Sequence, residues 1–450
     1  MQTRRDFILS GAAAAVAGVS GGATSSAVGR SLPAWRRGEM DIHFIHTGVG
    51  EQTFFVFPDG TTMLLDCGDT HHAKYMCDVP PQPSAEKCGG EWVARYIRRL
   101  VPRREIDYLM VSHWHGDHIG DPSLGCWKNA NGRQICGITA VAEDFRFRHY
   151  FDHQFPHPGQ YAMDPDPEAY EFFQKWLAGA RADGMDAQPF KVGALDQIRL
   201  VRDAARYPRF HVRNLCANAV LWDGGDGAVD CGAAHVKSGR KTIHENRLSA
   251  AIRIDYGDFS YYSGGDNELE LHEASGRPYN WEERIGRVCG PVNVAKTNHH
   301  AGTYAMSPEF CAAVRPQVWL SSVWQPRMVD HKSLRSMCSR ELYPGERMVC
   351  FGYVADKVRE VASAYGADIA PAGHAVVKVA PGGDTYEVFT LDASDESGRV
   401  LACRSFSSGK KTRGQAPKRT SFLPRFCSDL ARYLPRGGRE TMQSHLWSRL

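Results

Sequence analysis

The sequence predicts an α/β fold in which two sheets are packed between layers of helices. Two observations carry this expectation: β-like runs fall into two batches along the chain, and each batch is interleaved with helical segments. No internal repeat of fixed short period competes with it. With 450 residues, 42% hydrophobic and 23% charged, disorder, collagen and coiled coil are excluded as global descriptions.

The first element is a targeting segment. Arg4 and Arg5 precede Phe7, Ile8 and Leu9, and a weakly hydrophobic Ala/Gly/Val/Ser stretch runs on to about Ala27. The order of basic, apolar and small-residue parts resembles a twin-arginine (Tat) export signal, with Ser25, Ser26 and Ala27 as a cleavage site. Residues 1–30 are therefore set aside from the fold, and a periplasmic or secreted location is expected. The stretch is too weakly apolar for a membrane anchor, which needs about 20 strongly apolar residues, and no integral membrane segment is expected in the mature chain.

From Met40 onward, residues 41–46, 53–58 and 62–66 read as strands, with Pro58, Asp59 and Gly60 turning between the second and third. Residues 91–100 form an amphipathic helix, and the apolar strand 106–112 delivers His113 at its end. Residues 120–245 are rich in Gly, Pro and Asp and poorly periodic, apart from a helix at 167–181. Such a span is expected to be a loop-rich insertion that faces substrate or closes over it. Regular structure resumes with a hairpin, 248–256 and 258–263, turning at Gly257 and Asp258. It continues with strand 292–296, helix 307–314, strand 318–322 and helix 332–342, and the last strands are 374–379 and 386–391.

Thirteen cysteines form no CxxC pair. In an exported chain, Cys77 with Cys88 and Cys126 with Cys136 are each spaced to close a short polar loop, whereas Cys67 and Cys350 sit in apolar runs and read as buried hydrophobes.

The chemistry concentrates in Ser112-His113-Trp114-His115-Gly116-Asp117-His118. Three histidines and an aspartate within six residues, directly after an apolar strand, place nitrogen and oxygen ligands on one turn where they can converge on metal. This HxHxDH segment resembles the signature of the metallo-β-lactamase fold, a four-layer αββα sandwich. Leu64-Leu65-Asp66-Cys67-Gly68 is similar to that family's early LLDxG element, and Ser263-Gly264-Gly265-Asp266 to its strand-end GD element. Lys296-Thr297-Asn298-His299-His300-Ala301-Gly302-Thr303 is similar to its late two-histidine element. The resemblance spans about residues 40–405, which makes one αββα domain the expected count, followed by a tail at 406–450.

The resemblance implies a metal set of His113, His115, Asp117, His118, Asp266 and His299. His299 is preferred because it comes first beyond the strand, with His300 as the close alternative. Asp266 would bridge two metals, Asp117 would belong to the second site, and Asp66 would brace the metal loop; Asp117 and Asp66 are the candidate catalytic carboxylates. The family's further histidine, from an HTPGH-like segment, is missing. Glu245-Asn246-Arg247-Leu248-Ser249 stands in its place, which makes Asn246 a secondary candidate and leaves the first site's third ligand open among His235, His244, His149 and His153. That element, with Arg315-Pro316-Gln317-Val318-Trp319, resembles the hydrolase domain of ComEC-type competence proteins and their exported stand-alone relatives.

The implied cofactors are two divalent ions, zinc first and manganese as the alternative, ~3.5–4 Å apart around a nucleophilic hydroxide. A carboxylate bridge favours hard cations and phosphodiester hydrolysis. The alternatives are a lactonase- or β-lactamase-like hydrolase of a carbonyl substrate and a metal-binding protein that has lost catalysis. The partner is a phosphodiester or other small-molecule substrate.

Charge adds one more feature. From Arg399 onward there are 12 Lys/Arg against Asp429 and Glu440, so the near-neutral total of +3 hides an acidic body with a basic tail. Lys410, Lys411, Arg413, Lys418 and Arg419 could neutralise nucleic-acid phosphates, or could simply be a solvated run.

Overall fold

The structure, a computed structural model, describes residues 27–69, 79–123, 127–157, 161, 166–325, 328–354 and 356–409. Nearly all of the expected export signal, the basic tail from Lys410, and Cys77 and Cys126 lie outside the described residues.

Two nine-stranded sheets form the body. The first runs in the order Val400–Ser407, Thr385–Leu391, His374–Val379, Met40–Phe44, Gln52–Val56, Thr62–Cys67, Glu105–Val111, Arg146–Asp152 and Asp186–Ala187. The second runs Ala228–Asp230, Val220–Trp222, Phe210–Ala217, Ala251–Tyr256, Phe259–Ser263, Val294–Lys296, Val318–Ser321, Met348–Phe351 and Asp368–Ile369. In each sheet one part is antiparallel and the rest is parallel, from Thr62–Cys67 onward in the first and from Phe259–Ser263 onward in the second.

Strand periodicity explains the layers. On Gln52–Val56, Phe55 points to the space between the sheets and Phe54 to the outer face; Met110 and Leu109 divide in the same way, as do Tyr261 and Tyr262. The inner set packs Phe55, Met63 and Met110 with Ile252, Ile254, Tyr261 and Val294. Outside the first sheet, Leu64 and Leu109 meet Val93, Ile97, Val141 and Phe173 of helices Gly89–Leu100, Gly137–Asp144 and Pro167–Ala182. Outside the second, Tyr262 and Trp319 meet Ile285, Phe310 and Leu334 of helices Trp281–Cys289, Pro308–Val314 and His331–Cys338. The result is helix, sheet, sheet, helix, the αββα sandwich.

Local signals place several of these elements. Helix Gly89–Leu100 starts where the Glu91 carboxylate accepts from the Cys88 backbone N–H at 3.1 Å, and Arg98 and Arg99 complement the carbonyl end. The hairpin between Ala251–Tyr256 and Phe259–Ser263 turns at Gly257, whose φ is 61°. Any Cβ there would lie 1.8 Å from the Gly382 carbonyl oxygen, so only glycine fits.

Residues 120–245, expected to be loop-rich, also contribute strands to both sheets. Arg146–Asp152 lies parallel beside Glu105–Val111, and Phe210–Ala217 antiparallel beside Ala251–Tyr256. In Arg-Phe-Arg-His-Tyr-Phe-Asp the buried aromatics alternate with charged groups at the start and then run together, which hides the strand period. Val400–Ser407 extends the first sheet beyond the expected last strand. Its outer edge is met by the N-terminal segment, where Gly29 N donates to Val400 O and Val400 N to Arg30 O, each at 2.9 Å.

Candidate metal centre

The histidine loop follows strand Glu105–Val111, and Asp66, near the end of the neighbouring parallel strand, fixes it. Its carboxylate accepts from Ser112 N at 2.7 Å and Ser112 Oγ at 2.6 Å. The same carboxylate lies 2.9 Å from His118 Nδ1, so the other ring nitrogen, Nε2, is turned toward Asp266 Oδ2 at 3.3 Å. Asp66 thereby holds the loop and the His118 ring and stands outside the set of groups that converge on Asp266. Close approach matters here too. A Cβ at Gly68 would lie 1.6 Å from the Asp117 carbonyl oxygen, so the LLDxG glycine admits the loop backbone.

Asp266 arrives from the end of strand Phe259–Ser263. His299 and His300 follow strand Val294–Lys296, where the chain leaves its extended course: His299, His300 and Ala301 have φ of 40°, 52° and 61°, three successive left-handed residues. This turn separates the two histidines. His300 Nε2 stands 3.1 Å from Asp266 Oδ2 and 3.2 Å from Asp117 Oδ2. His299, the preferred ligand from sequence, instead points its Nδ1 to Glu268 at 3.3 Å and its Nε2 to Asn246 at 3.3 Å. The preference rested on His299 coming first beyond the strand, and the left-handed turn directs that residue to Glu268.

His113 and His115 converge with Nε2 and Nδ1 3.1 Å apart. Among the histidines left open for that side, the His244 ring lies 5.9 Å from the His115 ring, centre to centre. His153 is directed away: its Nε2 pairs with Glu245 at 2.9 Å, and the same Glu245 oxygen accepts from Trp114 N. His149 pairs with Asp186 and His235 with Thr242 O. Asn246 donates to Glu268 at 2.9 Å.

Two further buried groups stand at the centre: Glu51, which carries no motif, and Lys296, the first residue of the late two-histidine element. Lys296 Nζ lies 2.9 Å from Glu51 Oε1, 3.3 Å from Asp266 Oδ1 and 2.7 Å from the Gly265 carbonyl. The remaining Glu51 oxygen, Oε2, faces His300 Nδ1 at 3.5 Å. The only sequence signal for Glu51 was a charge just before the apolar strand Gln52–Val56, while Lys296 closes Val294–Lys296 and opens the late element, in which only the histidines were read as ligands.

The electrostatics of the cluster are set by burial and by the opposite charges that face one another. Burial works against charge on His118 and His300, but the carboxylates of Asp266 and Asp117 more than offset it, leaving His118 well above the imidazole range and His300 pushed up to about 9. Burial likewise opposes ionisation of Asp266 and Asp117, and the facing histidines prevail, holding both carboxyls low. His113 is driven well below the usual value by burial and then by the neighbouring His118 and His115. Glu51, His118, Asp266 and His300, all buried, each offer a ligand atom within 4.8 Å of the others. Glu51 Oε2, His118 Nε2 and His300 Nδ1 are buried atoms that make no hydrogen bond. Such a desolvated set of nitrogen and oxygen donors fits divalent metal.

The family model described as the metallo-beta-lactamase superfamily matches residues 46–121, the segment that holds Glu51, Asp66 and the histidine loop. That match, together with the buried donor cluster, supports a metal-using hydrolase on the αββα sandwich described above. Among solved structures it is similar to Igni18, a metallo hydrolase from Ignicoccus hospitalis, at 14% identity and TM-score 0.34, over 76% of this chain and 98% of that one. It is also similar to a diphosphatase from the PhnP family, at 10% identity and TM-score 0.32, over 76% and 96%. Unliganded yeast PDE1 aligns at 10% identity and TM-score 0.31, over 75% and 98%. No curated protein matches the chain. Among the described residues no helix is long and apolar enough to cross a membrane.

Proposed function

We propose that this chain is an exported phosphodiester hydrolase that works with two divalent cations. The observation that carries the choice of substrate is a rim of donors beside the acidic centre. His299, His244 and Arg247 are gathered around one carboxylate, Glu268, with Arg247 Nε at 3.0 Å, His299 Nδ1 at 3.3 Å and His244 Nδ1 at 3.9 Å. All three are partly exposed, so a guanidinium and two imidazoles stand where an anionic substrate would approach. A neutral lactone has no use for that rim.

Metal held at such a site supplies a hydroxide nucleophile at neutral pH and polarises the scissile bond. The chain's own residues do the rest. His118, His300, Asp117 and Asp266 would hold one ion, and His113 and His115 the other with Asp266 between them. Asp66 fixes the His118 ring through Nδ1. Arg247 and His299 would orient the phosphoryl oxygens. Oxygen donors from Asp117 and Asp266 support hard cations, which keeps manganese beside zinc.

Export is part of this reading, supported by Arg4 and Arg5 ahead of the apolar stretch, as is kinship with exported ComEC-type relatives, supported by Glu245-Asn246-Arg247-Leu248-Ser249. A reporter fused to residues 1–30 should reach the periplasm and should fail to do so when both arginines become lysine.

The deciding experiment is a hydrolysis screen on metal-quantified protein with a model phosphodiester, nucleic acid, a lactone and a β-lactam. Phosphodiester turnover that rises with bound metal is expected. Turnover of the lactone or β-lactam alone would establish the carbonyl-hydrolase alternative, and metal binding with no turnover of any substrate would leave a binding protein.

A further inference from the structure

The Glu51 and Lys296 side chains are buried, yet neither is among the histidines and aspartates that the motifs offer as ligands. A buried lysine is costly unless it is paired and hydrogen-bonded. Here it is paired twice, with Glu51 Oε1 at 2.9 Å and Asp266 Oδ1 at 3.3 Å, and it donates to Gly265 O. Each contact consumes an atom that could otherwise wander. With Oδ1 of Asp266 held by the ammonium, only Oδ2 is presented to His118 and His300. With Oε1 of Glu51 held, Oε2 is left facing His300 Nδ1 at 3.5 Å. His300 Nε2 lies between Asp117 and Asp266. An imidazole that binds metal through Nε2 carries its proton on Nδ1 and needs an acceptor there. Glu51 stands in that position for His300, as Asp66 does for His118.

Charge gives the pair a second role. Glu51, Asp66, Asp117 and Asp266 put four carboxyl groups into one buried region, and Lys296 is the lysine among them. The four carboxyl groups outnumber the two histidines, His118 and His300, that face them, and Lys296 adds a cation that does not itself serve as a ligand.

We propose that Lys296 and Glu51 form a clamp built for the metal centre: Lys296 fixes the bridging carboxylate of Asp266 and acts as the internal counter-cation that lets the site fold before metal binds, and Glu51 orients His300 as a ligand. The proposal rests on the metal-site reading above and adds two residues and an order of events to it.

The test uses the full chain, with manganese and zinc as probes, and reads thermal melting with and without chelator together with calorimetric metal binding. Wild type should melt only slightly lower in chelator. Lys296→Met should lose several degrees more in chelator than wild type does. Glu51→Gln should bind the more tightly held cation roughly 10–100-fold more weakly, the loss typical of an outer partner to a ligand, and Glu51→Asp should recover part of it. In the Glu51→Gln/Lys296→Met double variant both charges leave together, so its melting point in chelator should return toward wild type while metal binding stays weak. If Lys296→Met fails to fold even with metal, the double variant decides, since its folding supports the clamp and its failure overturns it. A chelator shift in Lys296→Met equal to wild type, or unchanged affinity in Glu51→Gln, also overturns it. Wild type that binds neither metal would instead bring down the metal-site reading itself.

Discussion

His299 and His300 are adjacent in the chain and face different surroundings, one toward the Glu268 rim and the other into the carboxylate pair. Their substitution should separate accordingly. His300→Ala is expected to lower metal affinity and turnover by roughly 100-fold or more, beyond the 10–100-fold typical of an outer partner. His299→Ala should keep its metal content and raise KM for an anionic substrate; equal metal loss in both, measured by elemental analysis, would contradict this placement. Asp66→Asn keeps the acceptor for Ser112 but weakens the brace on His118 Nδ1, so metal affinity should fall by about 10–100-fold with little change in the fold. At this scale the sequence was readable wherever residue type and spacing were diagnostic, as at His113, His115, Asp117 and His118. It was mute on the pairing of Glu51 with Lys296, because a glutamate before one strand and a lysine at the start of the late element have no shared pattern until the two sheets bring them together.

The late histidine element shows why neighbours in sequence need not be neighbours in direction. A strand sends successive side chains to opposite faces, but three left-handed residues after Lys296 turn His300 inward, a backbone course that histidine tolerates but that no pattern in the sequence fixes. Short apolar runs beside turn residues were legible, among them Gln52–Val56 ahead of Pro58-Asp59-Gly60 and Phe259–Ser263 after Gly257-Asp258. Arg146–Asp152 was not, because Arg146, Arg148 and His149 dilute its apolar pattern. Strand His374–Val379 carries a different signature, a histidine buried at its start whose Nδ1 accepts from His46 N at 2.9 Å. Burial, reinforced by His46 and Arg99, lowers His374 to about 3. Its folded pKa lies below the unfolded value, so the stability it contributes is present above about pH 6.5 and is lost as pH falls from there toward 3. Melting curves between pH 7 and pH 4 should therefore show a steeper acid loss in wild type than in His374→Gln, whose amide oxygen can still accept from His46; parallel curves would remove His374 as the cause.

Across the whole molecule, the centre forms where the parallel strands of both sheets end. Asp66 and the histidine loop come from one sheet, Asp266 and His300 from the other, so the metal centre is also a seam between sheets. A chain ending at Gly409 retains every described element and should unfold cooperatively near the full-length melting temperature, whereas one ending at Ala393 loses strand Val400–Ser407 and should melt markedly lower. The four-layer architecture was legible from the batching of strands and from the motif order, but the extra edge strand was not, since Cys403, Arg404 and Ser405 interrupt its apolar pattern. That edge has one more implication. Gly29, Arg30 and Leu32 hydrogen-bond to Gly398 and Val400, so part of the outermost strand is already occupied by the chain's own backbone. A processing cut after Ala27 would leave that cover in place, while a cut a few residues later would bare a hydrogen-bonding edge on which a second molecule could build. The few residues after the expected cleavage site would then serve as a guard against chain-to-chain association.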